Sequence, residues 1–186
     1  MTTTITQRVY IREMKHTDYE VMAKWLSTPE VLEFFGDRNA PFTVEQVKRK
    51  YEPRIKGDVA VYPYIVELDK RPIGFMQHYK LTEKNQEAFG YPLNLNIHGI
   101  DQFIGVPAYF NQGIGTIMVT KFIDILYDKT DSDMIVLDPE LTNTRAIRCY
   151  EKCGFVGMKK VKDGNNWLME LKIRGAVHEA AKSRND

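Results

Sequence analysis

Two glycines stand immediately before a run with helical periodicity in the stretch Phe110–Thr116, which reads Phe-Asn-Gln-Gly-Ile-Gly-Thr. The amide groups in the first turn of a helix lack intrahelical partners, and together with the helix dipole they favour an anion, typically a phosphate. Glycines let the backbone approach such a ligand closely. By itself, the stretch is equally compatible with a plain tight turn. The helix after it is indicated by apolar residues at helical spacing, namely Ile117, Met118, Phe122, Ile125 and Leu126.

The stretch Asn143–Phe155 is a second constellation, and it reads Asn-Thr-Arg-Ala-Ile-Arg-Cys-Tyr-Glu-Lys-Cys-Gly-Phe. We expect Asn143 to cap a helix and Gly154 to end it in the left-handed conformation. Tyr150 would lie one turn before that end. The glycine turn upstream lacks the lysine of the GxxxxGK(S/T) loop of nucleoside triphosphate binders, and no GxGxxG opens a βαβ unit. Neither of those phosphate sites is therefore indicated.

Together the two stretches resemble the GCN5-related N-acetyltransferase (GNAT) superfamily. The cofactor turn of that superfamily reads (Q/R)xxGx(G/A), and its later helix often reads NxxAxxxYxxxGF. Residues 143–155 match the second pattern throughout, whereas Phe110 stands where the first pattern has Gln or Arg. The resemblance implies acetyl-coenzyme A (acetyl-CoA) as the co-substrate, transfer of its acetyl group to an amine, and an α+β fold of the GNAT type.

The resemblance also implies which residues hold the co-substrate. The glycine turn would bind its pyrophosphate, and the backbone N–H groups of Phe103–Gly105 would bind the pantetheine arm and polarise the thioester carbonyl. Asn143 would add a contact to its role as a helix cap. The full cofactor set expected on this basis is Phe103, Ile104, Gly105, Asn111, Gln112, Gly113, Ile114, Gly115, Thr116 and Asn143. The four histidines have no metal-ligand spacing with cysteines or carboxylates, so we predict no metal.

Several further stretches look like the aminoglycoside 6′-N-acetyltransferases, above all the acetylating domain of enzymes that also carry a phosphotransferase. The resemblance extends from about Arg8 to Leu171 and is most specific in Gly99–Gly105, Gly-Ile-Asp-Gln-Phe-Ile-Gly. Within it, Asp101 would orient the ammonium group of the acceptor and accept its proton, directly or through water. Tyr150 would protonate the departing thiolate. The alternatives are a surface charge for Asp101 and a core tyrosine with a structural partner for Tyr150.

The acceptor implied by this resemblance is a small polycationic amine, whose site needs acidic and flat aromatic or hydroxyl-bearing walls. The residues expected to bind it are Asp101, Asp138, Phe35 and Tyr51. The segment Thr82–Asn94 departs most from the family. Two alternatives stay open: a GNAT enzyme that acts on another small amine or on a protein amine, and a module that binds coenzyme A (CoA) without catalysis.

The elements that must position these residues follow from periodicity and capping. A half-buried strand is predicted at Arg8–Met14, and a capping box at Thr17 and Glu20 would open a helix. The remaining elements are short helices from Thr28 and from Thr43 to about Tyr51, a hairpin with its turn at Asp69–Arg71, a polar loop from Thr82 to about Pro92, a strand at Leu95–Gly105, a helix at Gly115–Tyr127, a strand at Met134–Asp138, a helix at Asn143–Lys152 and a hairpin at Phe155–Leu171.

This order of elements predicts one α+β domain over residues 1–172. Its sheet would be mixed and mostly antiparallel, with helices at the N-terminus and two helices packed after the cofactor strand. Residues 173–186 are expected to form a polar tail.

Composition and charge narrow the range of partners that the sequence predicts. The 186 residues carry a formal net charge of +1, which argues against a nucleic-acid binder because such proteins usually present a strongly basic face. No stretch approaches the ~20 apolar residues of a membrane span, and the N-terminus lacks the apolar core of a signal peptide. The two cysteines, Cys149 and Cys153, indicate no disulfide framework. We therefore expect a cytoplasmic protein, monomeric or homodimeric, without nucleic-acid or membrane partners.

Overall fold

A tight hairpin forms where the polar turn Asp69–Arg71 predicts one. In the computed structural model, which describes residues 4–36 and 39–173, β2 (Val61–Leu68) and β3 (Arg71–Lys80) pair antiparallel. Asp69 and Lys70 lie between them with φ of 50° and 65°. These left-handed values are typical of a two-residue hairpin turn, which matches the twist of the flanking strands. The hairpin prediction is confirmed.

The N-terminal strand is as expected, but the first long helix begins later than its sequence signal. β1 (Val9–Glu13) pairs antiparallel with β2, and α2 spans Tyr19–Trp25. A 3₁₀ turn precedes α2, and the Asp18 carboxylate accepts the Lys15 N–H at 2.7 Å. The capping box predicted at Thr17 is therefore wrong, because the aspartate takes the backbone amide instead. The other short helices of this region are α1 (Ile5–Arg8) and α3 (Pro29–Leu32).

α4 (Val44–Lys56) is longer than predicted because it continues through a proline. Its start is as expected, since Thr43 Oγ1 accepts the Gln46 N–H and the Gln46 side chain accepts the Thr43 N–H at 2.8 Å. Pro53 cannot donate an intrahelical hydrogen bond, which normally ends or kinks a helix. Tyr51, however, is fully buried just before it. Packing of this side chain stabilises the helix beyond the point where the sequence signal stops.

The chain forms two compact units. The first comprises Met1–Tyr79 with Asp101–Phe122, and the second comprises Lys80–Ile100 with Ile123–Asp186. The core of the first unit is rich in aromatic residues and includes Tyr19, Met22, Trp25, Leu26, Tyr51, Ile65, Phe75 and Phe103. The assignment of one domain to residues 1–172 stays a prediction. The expected polar tail lies outside the described residues from position 174 onward.

The second unit contains a helix where the sequence suggested a polar loop. α5 (Glu83–Phe89) is capped by Thr82, whose hydroxyl accepts the Asn85 N–H at 3.3 Å. Its sequence, Glu-Lys-Asn-Gln-Glu-Ala-Phe, has no apolar stripe. The buried residue that anchors it is Gln86, whose amide donates to the Leu95 carbonyl at 2.8 Å. The loop prediction is therefore wrong, because a polar tertiary contact replaces the hydrophobic pattern that usually marks a helix.

The remaining strands are β4 (Ile97–Ile104), β5 (Met134–Leu137), β6 (Val156–Val161) and β7 (Asn166–Lys172). With the first three they form a mixed, mostly antiparallel sheet of seven strands in the order β1-β2-β3-β4-β5-β7-β6. β4 and β5 run parallel, whereas β7 pairs antiparallel with both β5 and β6. This is the predicted α+β fold class, with one helix after β4 and another after β5. The helix after β4 is α6 (Ile114–Lys129), and the helix after β5 is α7 (Thr144–Lys152).

Among the described residues, no helix is long and apolar enough to cross a membrane. The cytoplasmic location and the monomeric or homodimeric state stay predictions.

Candidate active site

The glycine turn leads directly into the N-terminus of α6. Asn111 and Gly113 have φ of 60° and 76°, so the backbone passes through left-handed conformations just before the helix. The Ile117 N–H donates to the Gly113 carbonyl, so the amides of residues 114–116 precede the first intrahelical hydrogen bond. A Cβ at Gly113 would have nothing within 4 Å. The turn is therefore an open backbone cradle at a helix start, as an anion site requires.

Two side chains of this turn are engaged elsewhere. Gln112 Nε2 donates to the Ala108 carbonyl, and Ile114 is fully buried. Gly115 and Thr116 are half-buried within α6. Any contact that this stretch makes with a phosphate would come mainly from its backbone.

The strand before the turn directs its amide groups to alternate sides. The Gly105 N–H donates to the Ile73 carbonyl of β3 at 2.7 Å, so it is already used. Because N–H groups alternate along a strand, the Phe103 N–H also faces β3, and the Ile104 N–H faces the opposite side. Gly105 is closed sterically as well, since a Cβ there would lie 2.2 Å from the Trp25 ring. Of the three predicted backbone donors, the geometry favours Ile104.

Asp101 on β4 is held by a chain of hydrogen-bonded side chains. Gln77 Nε2 on β3 donates to Asp101 Oδ2 at 2.6 Å, and Arg54 Nη1 on α4 donates to Gln77 Oε1 at 2.6 Å. Gln77 is buried, and the two charged residues are half-buried. A carboxylate held in this way can bind an ammonium group and accept a proton from it.

Phe35 and Tyr51, predicted to line the acceptor site, belong to one aromatic cluster in the first unit. The Phe35 ring lies 4.7 Å from the Phe103 ring, measured between centroids. The Phe75 ring lies 5.4 Å from both Tyr51 and Phe103. These edge-on and stacked contacts fix flat apolar surfaces close together.

Tyr51 lies beneath two cations of α4. The Arg54 guanidinium carbon is 5.1 Å and Lys50 Nζ is 5.5 Å from the centre of its ring. The Tyr51 hydroxyl is buried and has no hydrogen-bond partner among the described residues. Burial is the main reason that the pKa of Tyr51 is raised; Arg54 opposes this shift and Asp101 adds to it.

Lys50 differs from an ordinary surface lysine at its charged end. The residue as a whole is exposed, but its ammonium group lies over the Phe42 ring, 5.0 Å from the centroid, and near the Tyr51 ring. Burial of that end, followed by repulsion from Arg54, lowers the pKa of Lys50, while Asp101 raises it.

In the second unit, Asn143 caps α7 as predicted. Its Oδ1 accepts the Ala146 N–H at 3.1 Å, and Gly154 beyond the helix end has a φ of 93°. Tyr150 is 9% exposed, and its ring lies edge-on to Phe155 with 6.1 Å between centroids. The cap and the left-handed glycine are confirmed. The co-substrate contact of Asn143 and the acid role of Tyr150 stay predictions.

Asp138, which follows β5, already has an ionic partner. Lys162 Nζ lies 2.6 Å from Asp138 Oδ2, although that buried oxygen accepts no hydrogen bond of standard geometry in the described part of the chain. We regard the contact as an ion pair because the short distance between opposite charges is decisive. An acceptor amine at Asp138 would have to displace Lys162.

No group of three His, Cys, Asp or Glu residues within residues 4–36 and 39–173 could hold a metal ion.

Comparison with known proteins assigns this chain to a family. A family model described as an acetyltransferase (GNAT) domain matches residues 15–162. The chain belongs to the GNAT acetyltransferases. This acetyltransferase is 31% identical over 147 residues to the aminoglycoside N(6′)-acetyltransferase type 1 of Klebsiella pneumoniae, a match that covers 79% of this chain and 73% of the relative.

Solved structures support the same relationship for this acetyltransferase. The structure of AAC(6′)-Ib in complex with ribostamycin and coenzyme A is 29% identical with a TM-score of 0.74, over 96% of this chain and 98% of that one. The structure of the aminoglycoside acetyltransferase AAC(6′)-Ib with coenzyme A and kanamycin is 28% identical with a TM-score of 0.72, over 96% and 99%. The GNAT-type fold and the resemblance to aminoglycoside 6′-N-acetyltransferases are confirmed.

Sequence reasoning missed two residues of this acetyltransferase that lie at the candidate site, Arg54 and Gln77. Arg54 follows Tyr51 by three positions, so both share one face of α4. The prediction ended that helix near Tyr51, and Pro53 gave no reason to extend it. Gln77 follows Phe75 by two positions and therefore shares its face of β3. That spacing was the available signal for Gln77.

Proposed function

We propose that this acetyltransferase transfers the acetyl group of acetyl-CoA to the 6′-amino group of an aminoglycoside, by direct attack in a ternary complex. The observation that carries the proposal is the position of the Asp101 carboxylate. Asp101 lies on β4, the strand that leads to the open glycine turn, and its carboxylate accepts a hydrogen bond from Gln77 on β3. The relatives support it: one is an aminoglycoside N(6′)-acetyltransferase, and AAC(6′)-Ib has been solved with aminoglycosides and coenzyme A.

Acetyl-CoA would supply an activated acetyl thioester. The open cradle at Gly113 fits its pyrophosphate, because the amides of residues 114–116 and the dipole of the 16-residue α6 favour negative charge there. The Ile104 N–H, which faces away from β3, is the proposed donor to the thioester oxygen as negative charge develops on it. Asn143 is proposed to add a contact from its capping side chain.

The acceptor arrives as an ammonium group, which has no lone pair for attack. Asp101 orients it by charge and accepts one proton, directly or through a water molecule, so that the nitrogen can attack the thioester carbon. As the carbon–sulfur bond breaks, the electron pair leaves with sulfur. Tyr150 is proposed to donate the proton that converts the thiolate to the thiol, and the second proton that the nitrogen loses as the amide forms passes through water and restores the Tyr150 hydroxyl.

The remaining acceptor contacts are also proposals. Phe35 and Tyr51 offer flat aromatic surface, and the unpartnered Tyr51 hydroxyl can hydrogen-bond a ligand that reaches it. Asp138 would bind a second amine or hydroxyl of the acceptor in place of Lys162.

The direct test is thiol release from acetyl-CoA in the presence of kanamycin or tobramycin. We expect steady-state turnover, with the product acetylated at the 6′ nitrogen. An aminoglycoside with a hydroxyl group at the 6′ position is the matched control and should give no 6′-N-acetyl product. Folded protein that binds acetyl-CoA but turns over no 6′-amino aminoglycoside would reject this acceptor class.

Asp101→Asn tests the base. The amide keeps the shape of the side chain but cannot take a proton from the acceptor, so we expect kcat to fall by about 10²–10⁴-fold while acetyl-CoA binding is nearly intact. The control is Asp124→Asn, which removes an exposed carboxylate from α6. An unchanged rate in Asp101→Asn would refute the assignment.

A second candidate is acetylation of a smaller, less cationic amine, and one observation favours it. α4 carries two positive charges near Asp101. Lys50 interacts electrostatically with Asp101, and Arg54 donates a hydrogen bond to Gln77, the residue that binds the Asp101 carboxylate. These charges would repel the additional amines of a polycation. A screen that compares kcat/KM for mono-amines, polyamines and aminoglycosides separates the candidates, because the second requires the highest value with a mono-amine.

A further inference from the structure

Arg54 is connected to Asp101 by two hydrogen bonds that pass through one intervening side chain, that of Gln77. The Arg54 Nη1 to Gln77 Oε1 distance and the Gln77 Nε2 to Asp101 Oδ2 distance are both 2.6 Å. The three side chains come from α4, β3 and β4 of the first unit. Gln77, in the middle, is only 7% exposed, so little water competes for its amide.

The chemistry of the three groups gives this chain a direction. A guanidinium group can only donate hydrogen bonds, and an ionised carboxylate can only accept them. The amide between them has one donor end and one acceptor end, so only one of its two orientations satisfies both neighbours. Arg54 thereby fixes the Gln77 oxygen toward α4 and its NH₂ toward Asp101. Without Arg54, the amide could rotate by 180° and present its oxygen to the carboxyl group, an arrangement that favours the protonated acid.

The position of Arg54 is itself fixed. Its guanidinium lies over the buried Tyr51 ring, 5.1 Å from the centroid. Arg54 is in the last turn of α4, where a cation also interacts favourably with the helix dipole. Two groups of α4 interact electrostatically with Asp101: the ammonium group of Lys50 and the titratable hydroxyl of Tyr51.

We propose that Arg54 is a positioning residue of this enzyme: it orients the Gln77 amide so that Asp101 is kept ionised and ready to accept the proton of the acceptor. The inference rests on the proposed role of Asp101 as the base. Arg54 does not touch the acceptor in this scheme, and it acts through Gln77.

The test measures kcat/KM for the acceptor against pH in Arg54→Met, which keeps an apolar stem over Tyr51 but removes the donor. Loss of the donor makes the ionised form of Asp101 less favourable, so activity should be lost at a higher pH than in the parent enzyme. We expect the acidic limb to move up by roughly half a unit to one unit, with the two profiles converging at high pH. Arg54→Lys, which can still donate to the Gln77 oxygen, should restore much of the original profile.

Two further variants separate amide orientation from simple loss of charge. Lys50→Met removes one positive charge from the same helix without breaking the chain, and it should shift the limb less than Arg54→Met. Gln77→Met should shift the acidic limb as far as Arg54→Met does. The double variant that combines Arg54→Met with Gln77→Met should shift it no further than Gln77→Met alone. Equal shifts in Lys50→Met and Arg54→Met, or additive shifts in the double variant, would overturn the proposal.

A measurement without turnover distinguishes this proposal from the proposed function. In protein labelled with ¹³C at the aspartate carboxyl groups, the Asp101 signal, assigned by its loss in Asp101→Asn, is titrated in the parent and in Arg54→Met. A higher midpoint in Arg54→Met supports the positioning role, and an unchanged midpoint refutes it, even for a variant that is less stable but still folded. If the midpoint moves while Asp101→Asn keeps full activity, the positioning is real and the assignment of Asp101 as the base is wrong.

Discussion

At the scale of single residues, Tyr51 combines complete burial with a hydroxyl that has no hydrogen-bond partner among the described residues. A buried polar group without a partner normally costs stability. Its ring is packed against Phe75 and lies under Arg54, so the aromatic part already has a structural role. The hydroxyl has none. We propose that the acceptor supplies the missing partner.

Tyr51→Phe is expected to leave the midpoint of thermal unfolding unchanged or slightly higher, because it removes an unpaired buried hydroxyl. If that hydroxyl binds the acceptor, KM for the acceptor should rise several-fold while KM for acetyl-CoA stays constant. The matched control is Tyr91→Phe, which breaks a 2.9 Å hydrogen bond to Glu170 and should lower stability by about 1 kcal/mol. An unchanged acceptor KM in Tyr51→Phe would exclude the ligand contact.

At the scale of elements, the glycine turn and α6 together form the candidate anion site. The turn needs left-handed backbone at Gly113, and the helix needs its first amides uncovered. Because a Cβ at Gly113 would meet no protein atom, the cost of a side chain there has two separable parts. One part is backbone strain, and the other is obstruction of the anion site.

Gly113→Val should weaken acetyl-CoA binding, because its side chain would occupy the cradle proposed for the pyrophosphate. Gly57→Val is the matched control: Gly57 has a φ of 79° and also has nothing within 4 Å of a Cβ. Both variants should lose about 1–2 kcal/mol of stability from strain. Only Gly113→Val should raise Kd for acetyl-CoA, measured by calorimetry. Equal Kd values for acetyl-CoA in the two variants would show that the pyrophosphate does not bind at this turn.

At the scale of the whole molecule, buried histidine makes folding depend on pH. His98 on β4 is 7% exposed, and burial, with a smaller contribution from Lys80, lowers its pKa. The unfolded chain has the ordinary histidine pKa of about 6.5, so it binds a proton first as the pH falls. The contribution of His98 to stability is therefore fully present above that value and is lost as the pH falls toward the folded-state pKa.

Urea unfolding at pH 7.5 and 5.5 checks this linkage. The parent protein should lose more stability between these values than His98→Gln, whose side chain does not titrate. His16→Gln, at an exposed position outside the sheet, should keep the pH dependence of the parent. The same loss in His98→Gln as in the parent would assign the pH dependence to other groups.

The sequence alone determined the elements whose signals are local. The hairpin turn at Asp69 and Lys70, the Asn143 cap and the left-handed Gly154 were all predictable, because each depends on the preferences of one or two residues. The two motifs around Gly113 and Tyr150 were sufficient to indicate the family and its co-substrate.

Only the tertiary structure decided what surrounds Asp101. Arg54, Gln77 and Asp101 are far apart in the chain and lie on three different elements, so no spacing in the sequence joins them. The same reason explains α5, where a buried Gln86 amide stabilises a helix that has no apolar stripe. Local propensity fixes turns and caps, whereas long-range polar contacts depend on how the elements pack.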